Sequence, residues 1–118
     1  MQAAQGFPCI TELAAGFGGG IGGEQDVCGA ITGGVIAIGY REGRRGGNQM
    51  EIARAAKPGV RDVYEGFQAQ FGAVDCRALI GYDYRDPAQF EQAHKDPRRA
   101  EQCRQYKEWV IRRLLVEG

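Results

Sequence analysis

Four cysteines, Cys9, Cys28, Cys76 and Cys103, are the side chains of this 118-residue chain best suited to chemistry. A thiolate is a strong nucleophile and a soft metal ligand, and a cysteine carries one only where its surroundings favour the charge. Two of the four stand where helices are expected to start. Cys28 opens the apolar run from Cys28 to Gly39, and Cys76 follows Asp75, a residue type that caps helices. The dipole and unpaired N–H groups of a helix start lower a thiol pKa, which predicts thiolates at both positions. Cys103 shares a stripe with Tyr106, Val110, Ile111, Leu114 and Leu115 and is expected to point inward. Cys28 or Cys76 is then the better attacker, and Cys103 the better buried partner.

Spacing narrows the chemistry only in part. No two cysteines have the two-residue separation of a zinc knuckle, a zinc ribbon or a thioredoxin-like motif. A disulfide or dithiol pair between Cys76 and Cys103 fits a turn after Gly81 that folds the last helix back on the short one before it. A buried, chemically inert cysteine is the competing reading for each. Glycines 18, 19 and 20 let the backbone turn sharply and pass close to Cys28 and Gly29, where successive N–H groups can face a thiolate or sulfide. The candidate binding positions are therefore Gly18, Gly19, Gly20 and Gly29. The same cluster lacks a preceding strand and the lysine with serine or threonine of a phosphate loop, so a nucleotide is not expected. The chain has no serine, which excludes a Ser-His-Asp triad, and its single histidine, His94, reads as a surface residue.

The elements that must hold these residues read as helices. Residues 8–15 form a short one, with Pro8 near its first position and Gly16 at its end. After the connector 17–23, Asp26 is the expected cap of a helix running to about Tyr40, apolar nearly all round and hence central. The β-branched residues from Val35 to Ile38 also permit a strand, but a long apolar run without period-2 alternation favours helix. A helix from about Asn48 must kink or restart at Lys57-Pro58-Gly59. Beyond it Val60, Val63, Tyr64, Phe67 and Phe71 recur at three- and four-residue intervals up to Gly72. Asp75 starts a short helix closed by Gly81. The turn Tyr82-Asp83-Tyr84 reads as structural before it reads as the wall of a cleft. Asp86-Pro87 introduces another short helix, and a last one runs from about Arg99 to Val116.

Composition limits the partners. Fifteen basic and fifteen acidic residues cancel, which leaves no global field to gather nucleic acid. The local run of His94, Lys95, Arg98, Arg99, Arg104 and Lys107 is interleaved with acids and reads as a solvated helix face. No stretch is long and apolar enough to span a membrane, and the first six residues lack the features of a signal peptide. A cytoplasmic setting is the default expectation, in which cysteines are catalytic, metal-binding or buried more often than permanently bridged.

These residues also carry a resemblance. Phe17-Gly18-Gly19-Gly20-Ile21-Gly22, Val27-Cys28-Gly29-Ala30-Ile31-Thr32-Gly33, Phe71-Gly72, Cys76-Arg77-Ala78-Leu79-Ile80-Gly81-Tyr82-Asp83 and Cys103, in that order, resemble the C_GCAxxG_C_C family of redox-active proteins. The resemblance spans about residues 14–115. It implies a small all-α, bundle-like domain over residues 1–118 with a glycine-rich loop and clustered cysteines, Cys28, Cys76 and Cys103 marked for thiol–disulfide chemistry with an unknown redox partner. The alternatives it leaves are a zinc or iron–sulfur site on Cys28, Cys76 and Cys103 with Cys9, and a structural or interaction module with inert cysteines. The family's first cysteine sits on a helix well upstream of the Phe-Gly-Gly-Gly motif, and here Cys9 does not match that position. Lacking most of that helix, the domain would expose apolar surface that favours a homodimer.

Overall fold

The computed structural model describes residues 11–117 and is all-α, as expected. After a 3-10 turn over Thr11–Phe17 come five helices: α1 (Gly29–Arg44), α2 (Gln49–Phe71), α3 (Cys76–Ile80), α4 (Pro87–Lys95) and α5 (Pro97–Glu117). The residues around Cys9 lie outside the described part, so the expected helix over 8–15 is seen only as its 3-10 second half.

Local chemistry explains most boundaries. Asn48 opens α2 with a reciprocal capping box: its side chain accepts from the Glu51 N–H at 2.9 Å and the Glu51 carboxylate accepts from the Asn48 N–H at 3.3 Å. Asp75 and Asp86 cap α3 and α4 through the N–H groups of Ala78 and Ala88, and Pro87 occupies the first turn of α4. Gly72 and Gly81, both left-handed, end α2 and α3.

Three boundaries differ from the sequence reading. The first long helix begins at Gly29 and reaches Arg44, with Cys28 rather than Asp26 at its cap, because the backbone of Asp26 is engaged elsewhere. It buries one face through Ala30, Ile31, Gly34, Ala37 and Ile38, whereas Val35 reaches solvent. Pro58 lies inside a single continuous α2 with no restart. A proline there forfeits one backbone hydrogen bond, and burial on both sides of it, at Ala56 before and Val60, Val63 and Phe67 after, offsets that loss. The last helix starts two residues early, at Pro97, directly after the short α4.

α1, α2 and α5 form the body. Ile31 and Ile38 from α1, Val63 and Phe67 from α2, and Val110 and Leu114 from α5 are fully buried, each burial stabilising by about 1.5–3 kcal/mol. Phe67 meets Phe71, Tyr106 and Trp109 at centroid distances of 4.8, 5.5 and 5.8 Å. Gly34 sets how closely α1 and α5 approach, since a Cβ there would stand 2.8 Å from Val110 Cγ1.

Candidate functional site

A short piece of antiparallel pairing joins two distant parts of the chain. Val27 bridges Asp75, the Cys28 N–H donates to Val74 O at 2.8 Å, and the Cys76 N–H donates to Asp26 O at 2.7 Å. In such a pair residues 28 and 76 are diagonal neighbours on the same face. From this one bridge α1 departs after Cys28 and α3 begins at Cys76, so both thiols lie at helix starts on one side of the molecule.

The glycine loop forms the adjoining wall. Gly19, Gly20, Ile21, Gly22 and Gly23 all have φ between 60 and 76°, a left-handed turn that L-residues other than glycine resist. Ile21 accepts this conformation in an exposed position. The turn is closed by its own backbone: Gln25 and Asp26 donate to Gly19 O and Gly20 O at 2.8 and 2.9 Å. Gly20 is buried, and a Cβ on it would come within 2.6 Å of both the N and O of Asp26. Because Asp26 O accepts from Cys76, the loop fixes the position of the cysteine.

Gln25 completes the frame, and nothing in its sequence context announced it. It is buried and left-handed, its Nε2 donates to Tyr82 O at 2.7 Å, and its Oε1 accepts from the Tyr84 N–H at 2.9 Å. Both ends of the amide are thus satisfied, which ties the loop to the turn after α3.

Together these elements enclose a cavity of about 380 Å³. Cys28, Cys76 and Cys103 all line it, as do Gly18, Gly19, Gly20 and Gly29. All three thiols are half-buried and unbridged. Tyr84 lines the same cavity, although its turn read as structural, while Tyr82 hydrogen-bonds Asp96 at 2.7 Å. Arg99 and Lys107 stand on the wall as well: Arg99 is half-buried there, whereas Lys107 keeps the solvent exposure expected of that helix face.

The thiols differ from the expected thiolates. Burial pushes Cys28 above its ordinary value, against the N–H groups of Ala30 and Ile31 near its sulfur and the charge of Lys107. The Cys28 side chain makes no capping hydrogen bond. Burial raises Cys76 too, against the Gln25 amide and Arg99, while Cys28 and Cys103 add to the rise. At neutral pH Cys28 and Cys76 are therefore protonated thiols. Among the described residues no three His, Cys, Asp or Glu side chains are grouped as a metal ligand set, so Cys28, Cys76 and Cys103 do not by themselves fit zinc or an iron–sulfur cluster, and Cys9 lies outside the described residues.

The order of glycine loop, Cys28, Cys76 and Cys103 around one cavity has a counterpart among protein families. Residues 3–115 match the model of the family described as "Putative redox-active protein (C_GCAxxG_C_C)". The chain belongs to this family. Neither the curated proteins nor the solved structures offer a match. For a C_GCAxxG_C_C protein the structure gives the family pattern a spatial meaning: Gly18, Gly19, Gly20 and Gly29 with Cys28, Cys76 and Cys103 are wall residues of one cavity. No helix of the described residues is long and apolar enough to cross a membrane.

Proposed function

We propose that this protein exchanges electrons with a redox partner through a dithiol–disulfide couple inside the cavity, with Cys28 as attacking sulfur and Cys103 as resolving sulfur. The convergence of Cys28, Cys76 and Cys103, from three separate helices, on one cavity carries this reading. Cys28 is favoured as attacker because it alone has both the N–H groups of a long helix start and the charge of Lys107 working toward its thiolate. Cys103 reaches the cavity from α5 and is close enough to Cys28 for its charge to raise the Cys28 thiol.

The Cys28 thiolate attacks one sulfur of a partner disulfide; a mixed disulfide forms and the partner's other sulfur leaves as a thiolate, taking up the proton that Cys28 released. Cys103, deprotonated in turn, attacks the Cys28 sulfur and displaces the second partner thiol. Two protein thiols become one disulfide, the partner disulfide becomes a dithiol, and two electrons with two protons pass to the partner. Cys76 beside them is the alternative attacking sulfur, with Cys103 still the one that resolves.

The reading is tested on a Cys9→Ala background, where every titrated thiol belongs to the cavity. Mild oxidation should remove two of three thiols, reversibly, and mass mapping should place the bond between Cys28 and Cys103. Cys103→Ala should halt at a mixed disulfide. Three thiols persisting in folded protein after oxidation would overturn the reading.

A further inference from the structure

The C-terminal helix presents the cavity with a stripe of unusual chemistry. Arg99, Cys103 and Lys107 are four residues apart, so they lie on one face of α5, and all three line the cavity. Elsewhere on the helix the cations are neutralised: Arg98 pairs with Asp96, Arg104 with Glu101 and Glu108, Arg112 with Glu108, and Arg113 with Asp62. Among the described residues no carboxylate pairs with Arg99 or Lys107. Arg99 is held in place by neutral acceptors, its Nε donating to Ala93 O at 2.6 Å and its Nη1 reaching Tyr84 Oη at 3.5 Å. No acidic residue lines the cavity among the described residues, and the rest of its wall is glycine, apolar side chains, tyrosine and thiol. The molecule as a whole is neutral, so this uncompensated pair of positive charges is a local feature of the cavity.

Resting on the redox reading above, we propose that the partner is a small-molecule disulfide bearing anionic groups, whose carboxylates are held by Arg99 and Lys107 while its S–S bond lies against the cavity thiols. A volume of about 380 Å³ falls in the range of small-ligand sites. Guanidinium and ammonium groups flanking a thiol at one-turn intervals match a ligand with an anion on either side of a sulfur bridge. The exchange is the one already balanced: Cys28 bonds to one ligand sulfur, the ligand S–S bond breaks, the first half leaves as a thiol, and the second is released when Cys103 attacks Cys28. The anions stay bound to the cations until each half departs.

Three disulfides of different charge test this on the Cys9→Ala protein, reduced beforehand: oxidised glutathione (anionic), 2-hydroxyethyl disulfide (neutral) and cystamine (cationic). Each rate of protein oxidation is normalised to the same disulfide's rate with dithiothreitol, which removes intrinsic reactivity. Oxidised glutathione should be favoured over cystamine by about tenfold or more, an advantage that narrows in 0.5 M salt. Lys107→Gln should shrink the preference and Lys107→Glu should reverse it. Lys107 is exposed and has no hydrogen-bond or ion-pair partner among the described residues, so both variants should retain the wild-type circular dichroism, and Arg99→Gln serves as the second charge removal. Equal normalised rates for the three disulfides, or a preference untouched by the Lys107 variants, would overturn the anionic ligand and leave the redox couple standing. Failure of all three to oxidise the folded protein would overturn both. Preference for cystamine would assign the cavity to cationic partners and overturn the proposal as well.

Discussion

Alkylation of Cys28 and Cys76 should titrate with midpoints above the ordinary thiol value, as followed by peptide mapping of iodoacetamide adducts against pH. A helix start contributes about 0.3–1 kcal/mol to an exposed charge and up to about 2 kcal/mol to a partly buried one, roughly one and a half pKa units, whereas burial shifts reach several units. At these two residues burial is the larger effect. Lys107→Gln should move the Cys28 midpoint further up and slow its alkylation at pH 8; a wild-type midpoint below 7 would contradict the account. The helix-start placement of both cysteines was legible from Asp75 and from the apolar run after Cys28. Their desolvation was not, because the wall that shields them comes partly from α5, far along the chain. The two cavity cations illustrate the same limit: the four-residue spacing of Arg99, Cys103 and Lys107 was visible, but not which acids on α5 pair with their neighbours.

At the scale of the element, the left-handed loop offers two glycines that look alike in sequence and differ in space. Gly20→Ala forces a Cβ into the Asp26 backbone and adds left-handed strain, so it should cost about 3 kcal/mol or more and loosen the Cys76 amide. Gly22→Ala meets nothing within 4 Å and should cost only the backbone term, about 1–2 kcal/mol. Urea denaturation of the pair decides it, and similar losses would contradict the close approach at Gly20. The helices themselves were readable from caps and stripes: Asn48, Asp75, Asp86, Gly72 and Gly81 all stand at their ends. Pro58 misled because a local rule met a tertiary one. A proline breaks a helix that lacks other support, and α2 has an apolar stripe on both sides of it.

The whole molecule hangs on how α1 meets α5. Gly34→Ala should destabilise by about 1–3 kcal/mol through contact with Val110, and Val110→Ala should recover part of that loss in the double variant; additive losses in a double-mutant cycle would deny the contact. The protonated thiols also tie stability to pH. A thiol with a raised folded pKa keeps its proton longer than in the unfolded chain, so stability falls as pH rises through the unfolded thiol value toward the folded one. Denaturation midpoints should therefore drop between about pH 8 and 10, and drop less in the Cys28→Ala, Cys76→Ala double variant. The bridge between Val27 and Asp75 has a consequence in time rather than in space. It closes a long segment of chain that contains both α1 and α2, and loop-closure entropy makes such contacts late relative to the local docking of consecutive helices. In pulse-labelled refolding the Cys28 and Cys76 amides should gain protection after those of α2, and earlier protection would contradict this order. Until then the three thiols belong to separate stretches of chain, and the cavity that makes them partners is among the last things the protein assembles.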